Sequence, residues 1–258
     1  KTYRVTLQQA GGIIYVDPKA TGRHNGSTWE DAFTNLEAAL QKANEMPDGV
    51  TAEIWMSKDC TLNNKRYELK RTLTLRGGFT GIETEVNQRN KDNKSVFRRY
   101  AVFFSDTAIS GTLTFDGIQF GYSSGWDTIK PIYDIKWDTA GENSLVIQNC
   151  NICKNTRFST SARLASVTVK DVDSSDSELN FPECDNASVD NCIDGRLYIN
   201  TSSGVEPAQK VVIKNSSCRS TVYAKDISLS NNNNGGLFYS FDNINLYDIK
   251  ETPDTDIT

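Results

Sequence analysis

Four acidic side chains crowd the segment KDVDSSDSELN: Asp171, Asp173, Asp176 and Glu178. Carboxylates two or three residues apart on a bending chain can wrap a calcium ion, which takes about six to eight oxygen ligands. The spacing departs from the helix–loop–helix calcium loop, and no glycine supplies the sharp turn that loop needs. A solvated acidic turn is the competing reading. A second group lies in GYSSGWDTIKPIYDIKWD, where Tyr122, Trp126, Tyr133 and Trp137 fall among Asp127, Lys130, Asp134 and Asp138. Sugar rings stack their C–H faces on aromatic rings, and their hydroxyls pair with nearby carboxylates. Tyr122, Trp126, Asp127, Tyr133 and Trp137 are therefore the candidate glycan contacts. The competing reading has these rings anchoring a loop to the body, since Trp and Tyr serve well as half-buried anchors.

Other chemistries are poorly supplied. His24 is the single histidine, and no serine sits in a nucleophile elbow. The glycines at 77, 78 and 81 precede no helix, which removes the phosphate-loop reading. Six cysteines, at 60, 150, 153, 184, 192 and 218, form an even set that invites disulfides in an exported protein. Cys150-x-x-Cys153 has no second pair at zinc spacing, and buried packing is the plainer role for these thiols. No cofactor is expected, calcium at the acidic turn being the one ion the sequence offers a place.

The bulk properties narrow the classes further. The chain has 258 residues, 37% hydrophobic and 24% charged, with a net charge of −5. That supports a packed core and argues against a nucleic-acid partner, which needs a basic face. No run of about 18 apolar residues is present, so no membrane-spanning helix is expected. The chain opens on Lys1 rather than Met; a removed export signal or a trimmed chain would each account for that.

The elements that must position these residues are mostly strands. Residues 13 to 16, IIYV, read as a strand. A helix is predicted over 28–45: Ser27 and Glu30 form a capping box, and Trp29, Phe33, Leu36, Leu40 and Ala43 repeat at three- and four-residue steps. Pro47, Asp48 and Gly49 stop it. Thereafter short β-type runs alternate with turns rich in Asn, Asp, Ser and Gly.

Those runs repeat. An apolar residue, any residue, then Gly, Asn or Asp recurs with third positions Gly117, Asn149, Asp171, Asn191, Asn215 and Asn243, and Leu229-Ser230-Asn231 is a possible extra member. The steps of 32, 22, 20, 24 and 28 residues suit the coils of a solenoid. A coil bends sharply between strands that both face inward, and the bend needs left-handed backbone angles, which Gly, Asn and Asp tolerate best. Stacked amides can also hydrogen-bond from coil to coil. Cys150 and Cys192 each follow a corner residue and would share one inward column.

The first third carries a family likeness. Tyr15-Val16-Asp17, Asn25-Gly26-Ser27-x-Trp29, the helix after it, Gly77-Gly78-Phe79-x-Gly81, Glu83-Thr84 and Arg89 resemble the opening of secreted bacterial right-handed parallel β-helix proteins. That group includes the pectate-lyase-like superfamily and the polymorphic outer-membrane-protein repeats. The likeness spans roughly residues 13 to 90 and implies fold and export. Lyases of the group hold calcium on acidic residues and use Arg or Lys as base, and related hydrolases use paired Asp residues. This chain has no Asp-Asp pair, and fold alone does not grant activity.

The reading is thus one all-β domain, residues 1–258: a right-handed parallel β-helix with an N-terminal strand and amphipathic capping helix at about 13–50 and coils at about 51–250. The expected role is an exported, non-catalytic surface or periplasmic protein that binds glycan or another macromolecule. The alternatives are a polysaccharide lyase or glycosidase on the same scaffold, and a structural adhesin or stalk module. An enzyme would need converging carboxylates, or a carboxylate with Arg or Lys, in a groove on the solenoid's side.

Overall fold

The computed structural model describes residues 12–63, 65–98, 101–121, 132, 135–138, 142–153, 156–159, 163–174, 177–193, 195–201, 204–231, 236–247 and 255–257. Its architecture is that of an all-β parallel solenoid with one α-helix: eighteen strands join in one parallel sheet system, and two more form a small parallel pair. The chain returns again and again to the same columns. The first column runs through Gly12–Val16, Ala52–Ser57, Leu73–Phe79, Thr112–Asp116, Ser144–Gln148 and onward to the end of Gly236–Tyr247, each strand in register with the next. A second column holds short strands such as Ser95–Phe97 and Ile118–Phe120. A third holds Arg157–Ser159, Glu178–Phe181, Arg196–Ile199, the start of Arg219–Ser230, Gly236–Phe238 and Thr255–Ile257.

Side chains in a strand alternate faces, so inward residues recur every second position. One inward row is continuous through the first column: Ile14, Ile54, Leu75, Phe115, Ile147, Val169, Val189, Ile213, Leu229 and Leu246 occupy matched register positions. All but Leu246 are buried. At the corner the alternation must break. Phe115 and Ile118, Ile147 and Cys150, Val169 and Val172, Val189 and Cys192 all point inward and are buried, although two residues intervene in each pair, which in a regular strand would set them on opposite faces. The residue between them takes up the difference by adopting left-handed angles: φ is +69° at Gly117, +50° at Asn149, +53° at Asp171, +55° at Asn191, +52° at Asn215 and +48° at Asn231.

The corner amides also tie coil to coil. Asn191 Nδ2 donates to Asp171 Oδ1 at 2.9 Å, Asn215 Nδ2 to Asp190 Oδ1 at 2.8 Å, and Asn231 Nδ2 to Asn215 Oδ1 at 2.9 Å. Asn243 does not belong to this column. It lies within the strand Gly236–Tyr247, in register with Asp226, and donates to Asp226 Oδ1 at 2.8 Å. The corner there is Asn231, because the lap from Asn215 is 16 residues long rather than 28.

The helix is shorter than its spacing predicts. α1 spans Leu36–Asn44, capped by Asn35, whose Oδ1 accepts from the Ala38 N–H at 3.0 Å. Residues 26–33 are not helical, because their backbone groups serve the edge of the first strand. Tyr15 N donates to Gly26 O, Phe33 N to Tyr15 O, and Asp17 N to Phe33 O. Trp29 lies against Tyr15 at 4.8 Å and donates from Nε1 to Glu83 O at 2.8 Å. Ser27 therefore makes no helix cap; its own N–H donates to Asn25 Oδ1. α1 buries Leu36, Ala39, Leu40 and Ala43 in the core and packs on Gly12–Val16, Ala52–Ser57 and Arg66–Glu68. Among the described residues no helix is long and apolar enough to cross a membrane.

Candidate functional site: the groove beside the helix

The two segments singled out first are only partly within the described residues. Tyr122, Trp126, Asp127 and Tyr133 lie outside them. Trp137 is buried in the core and bridges to Ile109, which leaves its ring no open face for a sugar. Of the acidic cluster, Asp176 lies outside the described residues. Asp171 stands at a corner and accepts from Asn191, Asp173 continues into the second column, and Glu178 pairs with Arg157 at 2.9 Å. Among the described residues no three His, Cys, Asp or Glu side chains gather around a common point.

A carboxylate–arginine group does form on the outside of the first column. Asp116, 1% exposed at its side chain, pairs with both Arg76 and Arg89, the latter at 2.6 Å. Asn149 Nδ2 donates to it at 2.9 Å, Arg76 Nε reaches Glu53 at 2.6 Å, and Arg89 Nη1 donates to Gly77 O at 2.8 Å. Burial pushes the Asp116 pKa up, but Arg89 and the hydrogen bonds from Asn149, Arg89 and Gln148 outweigh it and hold it below the usual carboxylate range. A carboxylate so ionised has no proton to give, and its lone pairs are already engaged. The group works as a clasp that pins residues 80–89 to the sheet.

The glycines nearby serve the same closure. A Cβ at Gly77 would stand 2.6 Å from Gly117 O, and Gly78 has φ +85° with Asn93 O only 2.2 Å from where its Cβ would be. Glu83 completes the turn. Its carboxylate accepts from the N–H groups of Thr80, Gly81 and Ile82 at 2.8 to 3.1 Å, which outweigh burial and lower its pKa. Every motif residue of the family likeness that lies here thus builds scaffold.

Open space lies on the other side of the N-terminal end. A cavity of about 250 Å³ sits between the start of α1 and the chain at 60–67, lined by Thr34, Asn35, Thr61, Asn63 and Lys65 among others. A second, of about 400 Å³, runs along α1 between Gln41, Asn44 and Glu45 on one side and Arg66, Glu68 and Lys70 on the other. Both are lined by Glu37 and Tyr67, so they adjoin there. Ligand sites commonly occupy about 300–1,000 Å³.

Tyr67 belongs to the strand Arg66–Glu68, with its ring 5.5 Å from Phe103 in the core. The residue is 3% exposed; its hydroxyl has no hydrogen-bond partner among the described residues and is not among the buried unpaired atoms, so it opens onto the cavities that Tyr67 lines. Burial, and then the charge of Glu37, push its pKa up to about 12, so at neutral pH it is a proton donor. Above it Lys65 Nζ and Glu37 Oε2 form an exposed pair at 2.7 Å. Arg66 lies over the Phe104 ring at 4.4 Å. Asn44 Nδ2 is spent on Glu68 O at 3.2 Å.

The groove thus offers the Tyr67 hydroxyl, the side chains of Thr34, Thr61 and Asn63, which have no hydrogen-bond partner among the described residues, and three acidic side chains balanced by three basic ones: Glu37, Glu45 and Glu68 against Lys65, Arg66 and Lys70. Sequence reasoning passes over Tyr67, which stands among charged residues in KRYELK with no motif around it. Its one signal is an aromatic residue alternating with charges on a short strand.

The cysteines are all free thiols. Cys60, Cys150, Cys184, Cys192 and Cys218 are buried and Cys153 is half-buried, and burial pushes the pKa of Cys60, Cys150 and Cys184 to about 12. No family model matches the chain, and no curated protein or solved structure matches it.

Proposed function

We propose that this chain is an exported, non-catalytic right-handed parallel β-helix, capped at its N-terminal end by α1, and that the groove between α1 and Arg66–Glu68 binds a glycan. The observation that carries the reading is the Tyr67 hydroxyl: it sits at the end of a buried ring, has no hydrogen-bond partner among the described residues, and lies where two cavities adjoin. A net hydrogen bond is worth about 0.5–1.5 kcal/mol, and a sugar hydroxyl or ring oxygen entering the groove would supply one to this hydroxyl. The balanced charges of the walls suit a neutral ligand rich in hydroxyls better than a strongly charged one. The combined space suits a short stretch of polysaccharide. Export and bacterial origin rest on the sequence resemblance over residues 13–90, and the non-catalytic role on the Asp116 carboxylate being taken up by Arg76, Arg89 and Asn149.

A glycan array read for both retention and cleavage, with the wild type and Tyr67→Phe, tests the proposal. The expected result is retention of a neutral glycan, weakened at least tenfold in Tyr67→Phe, with the glycan recovered intact. Equal retention by the two proteins would remove the groove from the account. Cleaved product would move the chain to the enzyme reading.

A further inference from the structure

The apolar row that fills the first column is sealed at one end and open at the other. Ile14, its first member, is 0% exposed; Leu246, its last, is 44% exposed although it continues the row from Leu229, which is 2% exposed. Tyr247 beside it is 59% exposed, and Leu237 on the same strand 41%. Three of the six exposed large apolar residues among those described lie on this one strand. Its first part, Gly236–Phe238, pairs with Thr255–Ile257, whereas its later part has no strand on its far side among the described residues. Backbone groups of Ile244 and Leu246 with no partner among the described residues therefore lie in line with an exposed apolar row, the combination that recruits another strand.

We infer that this end is a self-association surface, and that the partner is a second copy of the chain joined tail to tail, with Asn243–Tyr247 pairing antiparallel to itself. A head-to-tail arrangement is blocked: the free edge of Gly12–Val16 is already taken by the backbone of Gly26 and Phe33, and α1 fills the core beside it. That leaves the isologous arrangement, in which one patch faces its own image and closes as a twofold dimer. The segment suits it. Directly opposed residues of an antiparallel pair share a face, so centring the pair on Asn245 sets Ile244 against the partner copy's Leu246, and the two open cores meet. Asn243 then faces the partner copy's Tyr247. No charged residue falls between Asn243 and Tyr247, so the net charge of each copy sets no like pair in opposition along this seam.

Sedimentation of the full 258-residue chain from low to high micromolar concentration tests this. The expected result is a mass that doubles with concentration and goes no higher. Leu246→Lys and, independently, the outward-facing Tyr247→Lys should each shift dimerisation to at least tenfold higher concentration with unchanged circular dichroism, while Ile82→Lys, at the exposed residue farthest from burial, should dimerise like the wild type. A wild type that stays monomeric, a mass that grows past the dimer, or a dimer indifferent to both Leu246→Lys and Tyr247→Lys would overturn the inference.

Discussion

The two ends of the apolar column are built from similar residues and treated in opposite ways. At the first strand backbone groups of Tyr15 and Asp17 are met by Gly26 and Phe33, Leu36, Ala39, Leu40 and Ala43 of α1 are buried in the core, and Ile14 is fully covered. At the last strand, Leu246 occupies the same row and stays nearly half exposed. The difference teaches that in a solenoid a residue's burial is fixed by whether another layer follows it, not by its own position in the strand. Each lap buries the one before. Two cavities flank α1 at this end, because a helix laid on the flat of a strand leaves space along its flanks that another strand would fill.

The comparison can be broken most forcefully at the clasp that pins residues 80–89 to the sheet. Asp116→Ala leaves Arg89 and Arg76 without their buried partner, and losing one member of a buried pair costs about 3–5 kcal/mol. The expected result is a large drop in unfolding midpoint by urea titration at pH 7. The sign with pH follows from the lowered pKa of Asp116. The unfolded chain takes up that proton at about pH 4 and the folded one only at lower pH. The contribution of Asp116 is therefore full above about pH 4 and lost as pH falls through the folded value, so wild type and variant should converge in acid. A gap that persists at low pH would show that the clasp is not ionic.

A matched pair of truncations sharpens the contrast. Leu40→Ala at the sealed end should cost about 2–5 kcal/mol, the usual range for a buried leucine. Leu246→Ala at the open end should cost about 1 kcal/mol in dilute protein, since much of that side chain already meets solvent. Equal costs would mean the two ends are alike. At the corners, Asn231→Ala should cost about 1–2 kcal/mol because φ is +48° there, and Asn231→Gly much less. Asn243→Ala, in an extended strand, loses only the Asp226 hydrogen bond, about 1 kcal/mol. The smallest effect is chemical: with the other five thiols buried, alkylation of the folded protein should label Cys153 alone, without reductant. Labelling of Cys60 or Cys150 at the same rate would contradict the packing.

The corners were legible because few residues tolerate left-handed angles, so Gly117, Asn149, Asp171, Asn191 and Asn215 stand out between inward residues of odd spacing. Phe241-Asp242-Asn243 imitates the same pattern, and what sets it apart is a bulge: two residues, 241 and 242, oppose Lys225 alone. No local composition announces that. The helix start is masked in the sequence for a related reason. Trp29 and Phe33 fall at helical spacing before Leu36, yet their burial comes from covering the first strand. The groove could not be read at all. Its walls come from segments around Thr34, Glu37–Glu45 and Thr61–Lys70, and only the fold brings them together.

Native-state hydrogen exchange, followed strand by strand, tests the asymmetry most directly. The account predicts that amides of Gly12–Val16 exchange as slowly as those of interior strands such as Ser144–Gln148, while those of Asn243–Tyr247 exchange much faster in dilute protein and slow down as concentration rises. Rapid exchange at Gly12–Val16, or protection of Asn243–Tyr247 equal to the interior at every concentration, would contradict it.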